Sequence, residues 1–200
     1  MQIFTKIFFL FFIFSTQVFG DEASNWLKKE IDVILDAYKN TNISNEVRFL
    51  MIEDTINYNF AGAGIAKFVS GEAWSKSNKD TKKKYIKLFK RHLALNIASM
   101  MKGYSNQSYQ LINAKYDSKN KVSLIDMKIF NDTGELIVTW RVKKAKDRFF
   151  VIDFLVANIS LVETKRSDFN SMLKTVNNNL NKFNKLLNDK NESSYNKLVN

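Results

Sequence analysis

The chain has 200 residues, a formal net charge of +11, no cysteine and no proline, and 45% of its residues are hydrophobic. That length supports one domain with a sizeable core and leaves room for a cavity. Without cysteine there is no disulfide, thiol or zinc–cysteine chemistry, and the single histidine, His92, excludes multi-histidine metal sites.

Residues 1–20 read as a secretory signal peptide. Lys6 charges the leading region, residues 7–14 are an uninterrupted apolar run, and Val18 and Gly20 occupy the −3 and −1 positions of a cleavage site after Gly20. The run is shorter than the roughly 20 apolar residues that span a bilayer. A soluble single domain is expected over 21–188, with a disordered polar tail over 189–200. No cysteine stands near the cleavage site, which argues against lipoprotein processing. Nucleic acid is the usual partner of so basic a chain, but export argues against it. Attraction to anionic lipid surfaces remains, beside the plainer reading that a proline-free, Lys- and Asn-rich composition reflects an A/T-rich genome.

The first helix after the leader shows an apolar stripe of Trp26, Leu27, Ile31, Ile34, Leu35 and Tyr38, with Ser24 as its N-cap. A second is expected over about 45–58, facing inward through Val47, Leu50 and Met51. A third runs over about 60–69 and ends at Gly71, with Gly62, Ala63 and Gly64 predicting a bend. Ser77 or Asn78 caps the longest helix, whose inner face carries Tyr85, Leu88, Phe89, His92, Leu93, Asn96 and Met100. Leu95, Met101 and Tyr104 widen that surface, and Gly103 ends it.

The pattern then switches to period two. Strands are expected over about 107–117, 121–131, 135–145 and 148–157, joined by short turns and therefore antiparallel. Leu136, Val138, Trp140 and Val142 alternate with Thr139, Arg141 and Lys143. In the last strand Phe150, Ile152, Phe154 and Val156 form one face, and Asp153 interrupts the other. A turn follows at 157–160, then a closing helix over about 162–187. The fold class is α+β: a curved four-stranded antiparallel sheet packed with helices, a helical N-terminal half and a long C-terminal helix.

Three groups of residues carry a family likeness. The first is Val151, Asp153, Ile159, Ser160, Leu161, Arg166 and Phe169. Asn158 stands where the family usually has Gly, and Asn tolerates a left-handed backbone. The second is Phe60, Gly71, Trp74, Tyr85, Phe89 and Leu93, and the third is Trp140 with Val142. Together they resemble the MlaC family, periplasmic phospholipid-binding auxiliary components of an ABC-transport system, and the likeness covers roughly residues 24–187.

The resemblance implies a nuclear-transport-factor-like fold with acyl chains between its layers and the headgroup near solvent. It implies a monomeric carrier that shuttles phospholipid between an outer-membrane lipoprotein complex and an inner-membrane ABC transporter with its lipid-binding subunit, maintaining outer-membrane lipid asymmetry. The cargo is phospholipid, with no cofactor, metal or nucleic acid. Burying ~30 methylenes involves on the order of 25 kcal/mol, which calls for a deep apolar pocket. Candidates for its wall are Phe68, Leu93, Ile97, Met100 and Met101 on helices, and Ile125, Met127, Val138, Trp140, Ile152 and Phe154 on the sheet. Lys82, Lys83 and Arg166 are candidates for contact with a headgroup or partner. Asp153 is expected to hydrogen-bond the returning backbone. Two alternatives stay open: a carrier of another apolar cargo, such as a hopanoid or hydrocarbon, and a secreted enzyme using His92 with Asp153. The chain has no G-x-S-x-G elbow and no phosphate-binding glycine loop.

Overall fold

Four strands follow the period-two pattern: β1 (Tyr109–Asp117), β2 (Val122–Asn131), β3 (Gly134–Ala145) and β4 (Arg148–Val156). The structure, a computed structural model, describes residues 19–104, 107–131 and 134–200, and the side chains of 19–21 and 131 are outside that description. The expected leader therefore lies outside the described residues, apart from the backbone of Phe19 and Gly20. Each strand pairs antiparallel with the next, as short turns require. In the β1–β2 turn, Asp117 Oδ1 accepts the backbone N–H groups of Lys119 and Asn120. A two-residue strand, β5 (Ile159–Ser160), extends the sheet beyond β4. It is joined through Ala157 and Asn158 at φ 49° and 65°. Two successive left-handed residues make the hairpin turn that matches strand twist. Asn158 adopts the backbone expected of it.

The helices are α1 (Phe19–Lys39), α2 (Asn45–Asn59), α3 (Gly62–Ser70), α4 (Glu72–Ser75), α5 (Lys79–Met101), α6 (Leu161–Thr175) and α7 (Leu180–Val199). α5 is the spine of the helical layer and packs on α2, α3 and α7, while α1 lies against β1 and β2. Asn78 caps α5, its side-chain oxygen accepting the Thr81 N–H at 2.8 Å. An aromatic cluster joins three helices: the Phe169 ring lies 5.9 Å from Phe89 and 5.1 Å from Phe183. These rings are fully buried.

Several expectations need correction. α1 begins at Phe19, so Ser24 is not its cap but an interior residue whose buried hydroxyl has no hydrogen-bond partner among the described residues. α2 buries Phe49, Ile52 and Ile56 and leaves Val47 45% and Leu50 47% exposed. Both rows of this helix are apolar, and packing on α5 selects the Phe49 row. The small residues of α3 lie within a continuous helix, not a bend. Gly62 serves close approach instead: a Cβ there would meet the Lys90 side chain at 2.6 Å. The helix ends at Gly71, φ 53°, a conformation that favours glycine.

The expected long closing helix is two helices. Asn177 and Asn178 adopt φ 56° and 53°. The Asn178 N–H reaches back to Leu173 O at 2.8 Å and the Asn177 N–H to Lys174 O at 3.1 Å, the paired bonds of a Schellman stop. Asn179 then starts α7, its side-chain oxygen accepting the Lys182 N–H. The polar tail is not disordered: α7 runs to Val199 and buries Asn191 and Leu198.

The face assignment in β4 also changes. Arg141 pairs with Asp153 but Val142 pairs with Val151, so Ile152 is an extra residue in a β-bulge. The bulge inverts the alternation. Val151 and Phe149 join Phe154 and Val156 on the inner face, while Phe150 and Ile152 leave it.

Candidate functional site

The inner face of the sheet is mostly apolar, with buried Ser123 as a polar exception beside Val142. Ile125, Met127, Val138, Val142, Val151 and Phe154 are buried there, and Leu93 of α5 belongs to the same cluster. Coverage thins where α1 crosses the sheet. Trp26, Ile31, Ile34 and Tyr38 of α1 are only partly buried, as are Tyr109, Leu111, Ile129 and Leu136 on the strands, although all pack against the core. Together they form an apolar seam between α1 and strands β1–β3. A polar contact ties its helix to β1: the Tyr109 hydroxyl donates to Asp32 Oδ1 at 2.6 Å. Lys28 donates to the other carboxyl oxygen of Asp32 at 2.6 Å. Hydrogen bonds from Lys28 and Tyr109 hold the Asp32 carboxyl below the usual carboxylate range. Burial, and then the Asp32 charge, push the Tyr109 hydroxyl up.

Most of the predicted wall comes together in this region. Leu93, Ile97 and Met101 from α5 share one cluster with Ile125, Met127, Val138, Trp140 and Phe154 from the sheet. The Trp140 ring lies 5.2 Å from Phe154, and its Nε1 is buried without a hydrogen-bond partner among the described residues. Three residues stand elsewhere. Met100 is 55% exposed, because one step along a helix from Met101 turns a side chain about 100° away. Ile152 has left the inner face at the bulge. Phe68 is on the outer side of α3, where the Arg166 guanidinium sits 4.2 Å from its ring centroid. Arg166 thus bridges α6 to α3. Lys82 lies 5.4 Å from the Trp74 ring, and Lys83 is exposed.

The seam residues of α1, β1 and β2 were absent from the predicted wall. The α1 stripe was legible as a helix face, but a periodic stripe does not reveal how completely its partner covers it.

Phe68 and Ile152 instead line a smaller cleft at the β4 edge, about 360 Å³, with Arg141, Asp153, Ser160 and Glu163. Asp153 is 5% exposed and organises this edge. It accepts the Ser160 hydroxyl at 2.7 Å and the Val162 backbone N–H at 3.2 Å, with Arg141 at 3.6 Å. Asp153 therefore does hydrogen-bond the returning backbone. Ser160 in turn accepts the Glu163 N–H, so the start of α6 rests on a Ser-x-x-Glu sequence, a signal readable before the structure.

His92 and Asp153 each have other partners. His92 Nδ1 is 3.1 Å from Asn191 Oδ1, and Asn96 Nδ2 is 3.2 Å from His92 Nε2. Asn191 donates onward to Leu88 O at 2.9 Å, and Lys165 donates to Asn96 Oδ1 at 2.8 Å. Each amide orientation is fixed by its second bond, so the ring is neutral with its proton on Nδ1. Burial first, then Lys165, lower the His92 pKa to about 4. Both neighbours of the ring are amides, and Phe169 packs 5.4 Å from it. Among the described residues no group of three His, Cys, Asp or Glu could hold a metal, and no helix is long and apolar enough to cross a membrane.

A second concavity of about 600 Å³ lies between α2, α5 and α7, with Leu88 of the apolar cluster on its wall. It is otherwise lined by charged and polar groups, including Glu53, Lys84, Lys87 and Arg91. Arg91 is held there by Glu53 at 3.0 Å.

Among curated proteins none matches the chain. Among solved structures the chain is similar to a phospholipid-binding protein from Ralstonia solanacearum in complex with a phospholipid. The two are 15% identical with a TM-score of 0.75, and the match covers 86% of this chain and 98% of that one. At such identity the likeness carries the fold: the same helix-on-sheet layering. A family profile described as MlaC protein matches residues 28–189, from within α1 to the middle of α7, and the chain therefore belongs to the MlaC family.

Proposed function

We propose that the chain is a periplasmic carrier that holds the acyl chains of a phospholipid between α1 and the inner face of the sheet. The observation that carries this reading is the seam: eight largely apolar side chains from α1 and β1–β3, only partly buried and packed against the buried apolar cluster. Contiguous apolar surface left partly exposed in a folded domain is costly unless something else covers it. An acyl chain fits that demand, because it needs length and apolarity and makes no hydrogen bonds. The Trp140 indole N–H, buried and unpartnered, would serve an ester or glycerol oxygen. Membership of the MlaC family supports phospholipid as the cargo, as does the phospholipid held by the Ralstonia protein of the same fold.

In this reading the wall comprises Leu93, Ile97, Met101, Ile125, Met127, Val138, Trp140 and Phe154 together with the seam, and the leader is removed after Gly20. The carrier moves between an outer-membrane lipoprotein complex and an inner-membrane ABC transporter, as a monomer and without catalysis.

Paired tryptophan variants test the location. Val138 is 5% exposed on the inner face, whereas Ile152 lies in the outer cleft. Val138→Trp should lower the lipid recovered per chain severalfold while far-UV circular dichroism is kept. Ile152→Trp should leave lipid recovery unchanged. Equal losses, or a loss confined to Ile152→Trp, would overturn the placement.

A further inference from the structure

The charge of this chain is not spread evenly. Of the net +11, a net +8 lies on α5 and α7, which carry eleven basic and three acidic residues and pack against each other. We infer that the outward face of the α5–α7 pair is a docking surface for anionic bilayers, with Lys83, Lys84, Lys87, Lys185 and Lys190 as its contact groups.

All five lysines are exposed, and among the described residues no carboxylate pairs with any of them. Unpaired lysines also stand on other elements, Lys29, Lys115 and Lys119 among them, so it is their number on two packed helices that sets this face apart. Helix stability does not explain the lysine-rich start of α5. Lys79 and Lys82 stand at the start of α5, where positive charge opposes the helix dipole. Crowding like charges on neighbouring helices adds repulsion that a partner of opposite sign relieves.

The residue types select the partner. Protein interfaces are centred on aromatic, Met and Arg anchors and are depleted in Lys. Here Arg91 is already occupied by Glu53, and Leu186 is the large hydrophobic of α7 that stands exposed. Strongly hydrated point charges on flexible stems suit a fluid layer of phosphate headgroups, which needs no shaped pocket. The 600 Å³ concavity between α2, α5 and α7 carries Lys84, Lys87 and Arg91 against Glu53 and Glu192 on its wall, and gives that layer room to approach the helices. The inference rests on charge placement alone and stands whether or not the seam carries lipid.

The test uses the chain without residues 1–20 in co-sedimentation with phosphatidylcholine vesicles, with and without phosphatidylglycerol. Each lysine near an anionic surface contributes about fivefold to partitioning. The triple variant Lys83→Gln, Lys84→Gln, Lys87→Gln should therefore lose on the order of 100-fold at low salt, with helicity kept because Gln and Lys have similar helix propensity. A control triple, Lys29→Gln, Lys115→Gln, Lys119→Gln, changes net charge equally on other exposed elements and should lose less than about tenfold. Binding should vanish on neutral vesicles and fall steeply with added salt. Equal losses in the two triples would overturn the inference in favour of undirected net charge. Absence of binding to phosphatidylglycerol vesicles by the unaltered chain would overturn it outright.

Discussion

Burial of neutral His92 makes the fold acid-sensitive in a defined window. The ring is 3% exposed and lies between Asn96 on α5, Asn191 on α7, and Phe169 on α6. The charges facing it are Lys165 and Lys190, which oppose protonation, and Asp168, which favours it. Burial is the largest influence, and the pKa falls from 6.5 to about 4. Between those values the unfolded chain binds a proton that the folded chain does not. Stability is therefore full above about pH 6.5 and drains as pH falls towards 4. At 1.36 kcal/mol per unit the whole effect is about 3 kcal/mol, of which about 2 kcal/mol is lost by pH 5. Urea unfolding followed by circular dichroism at about pH 7.5, 6 and 5 measures it. His92→Gln, which keeps a polar group between the two amides, should remove this part of the slope and leave the carboxylate part. Parallel pH profiles for the two proteins would refute the reasoning.

Two further substitutions probe the junctions. Asp153→Ala removes the acceptor for Ser160 and for the Val162 N–H, and the urea midpoint should report a loss of about 3 kcal/mol; exposed Arg141 adds little to that figure. Asn178→Val places a β-branched residue at φ 53° and should cost about 1–2 kcal/mol by the same assay, whereas Asn178→Gly should change stability by only a few tenths.

The strands were legible because their apolar residues recur at period two and their turns carry Asp, Asn and Gly. The ends of α3 and α5 were legible for a similar reason, through Gly71 and Asn78. Three features escaped that logic. The bulge at Ile152 has no compositional mark, yet it reverses which residues of β4 face inward, so a strict alternation misassigned Phe150 and Ile152. The stop after α6 is built from Asn177, Asn178 and Asn179, which look like ordinary polar helix residues unless a left-handed backbone is expected of them. The last helix buries Asn184 and Asn191, and polar residues used as interior hydrogen-bond partners look like solvated tail. The predicted wall fared in the same way. Residues facing inward on α5 and β3 fell together, while the partly buried seam depends on how closely α1 approaches the sheet, which no local pattern encodes.

The seam's occupancy is the point on which the functional account turns, and native mass spectrometry of the protein released from a bacterial periplasm without detergent reads it directly. The account predicts a main species heavier than the chain of residues 21–200 by the mass of one diacyl phospholipid, released on activation as an intact lipid. A spectrum showing the bare chain alone, with no phospholipid in a solvent extract of the same sample, would contradict it.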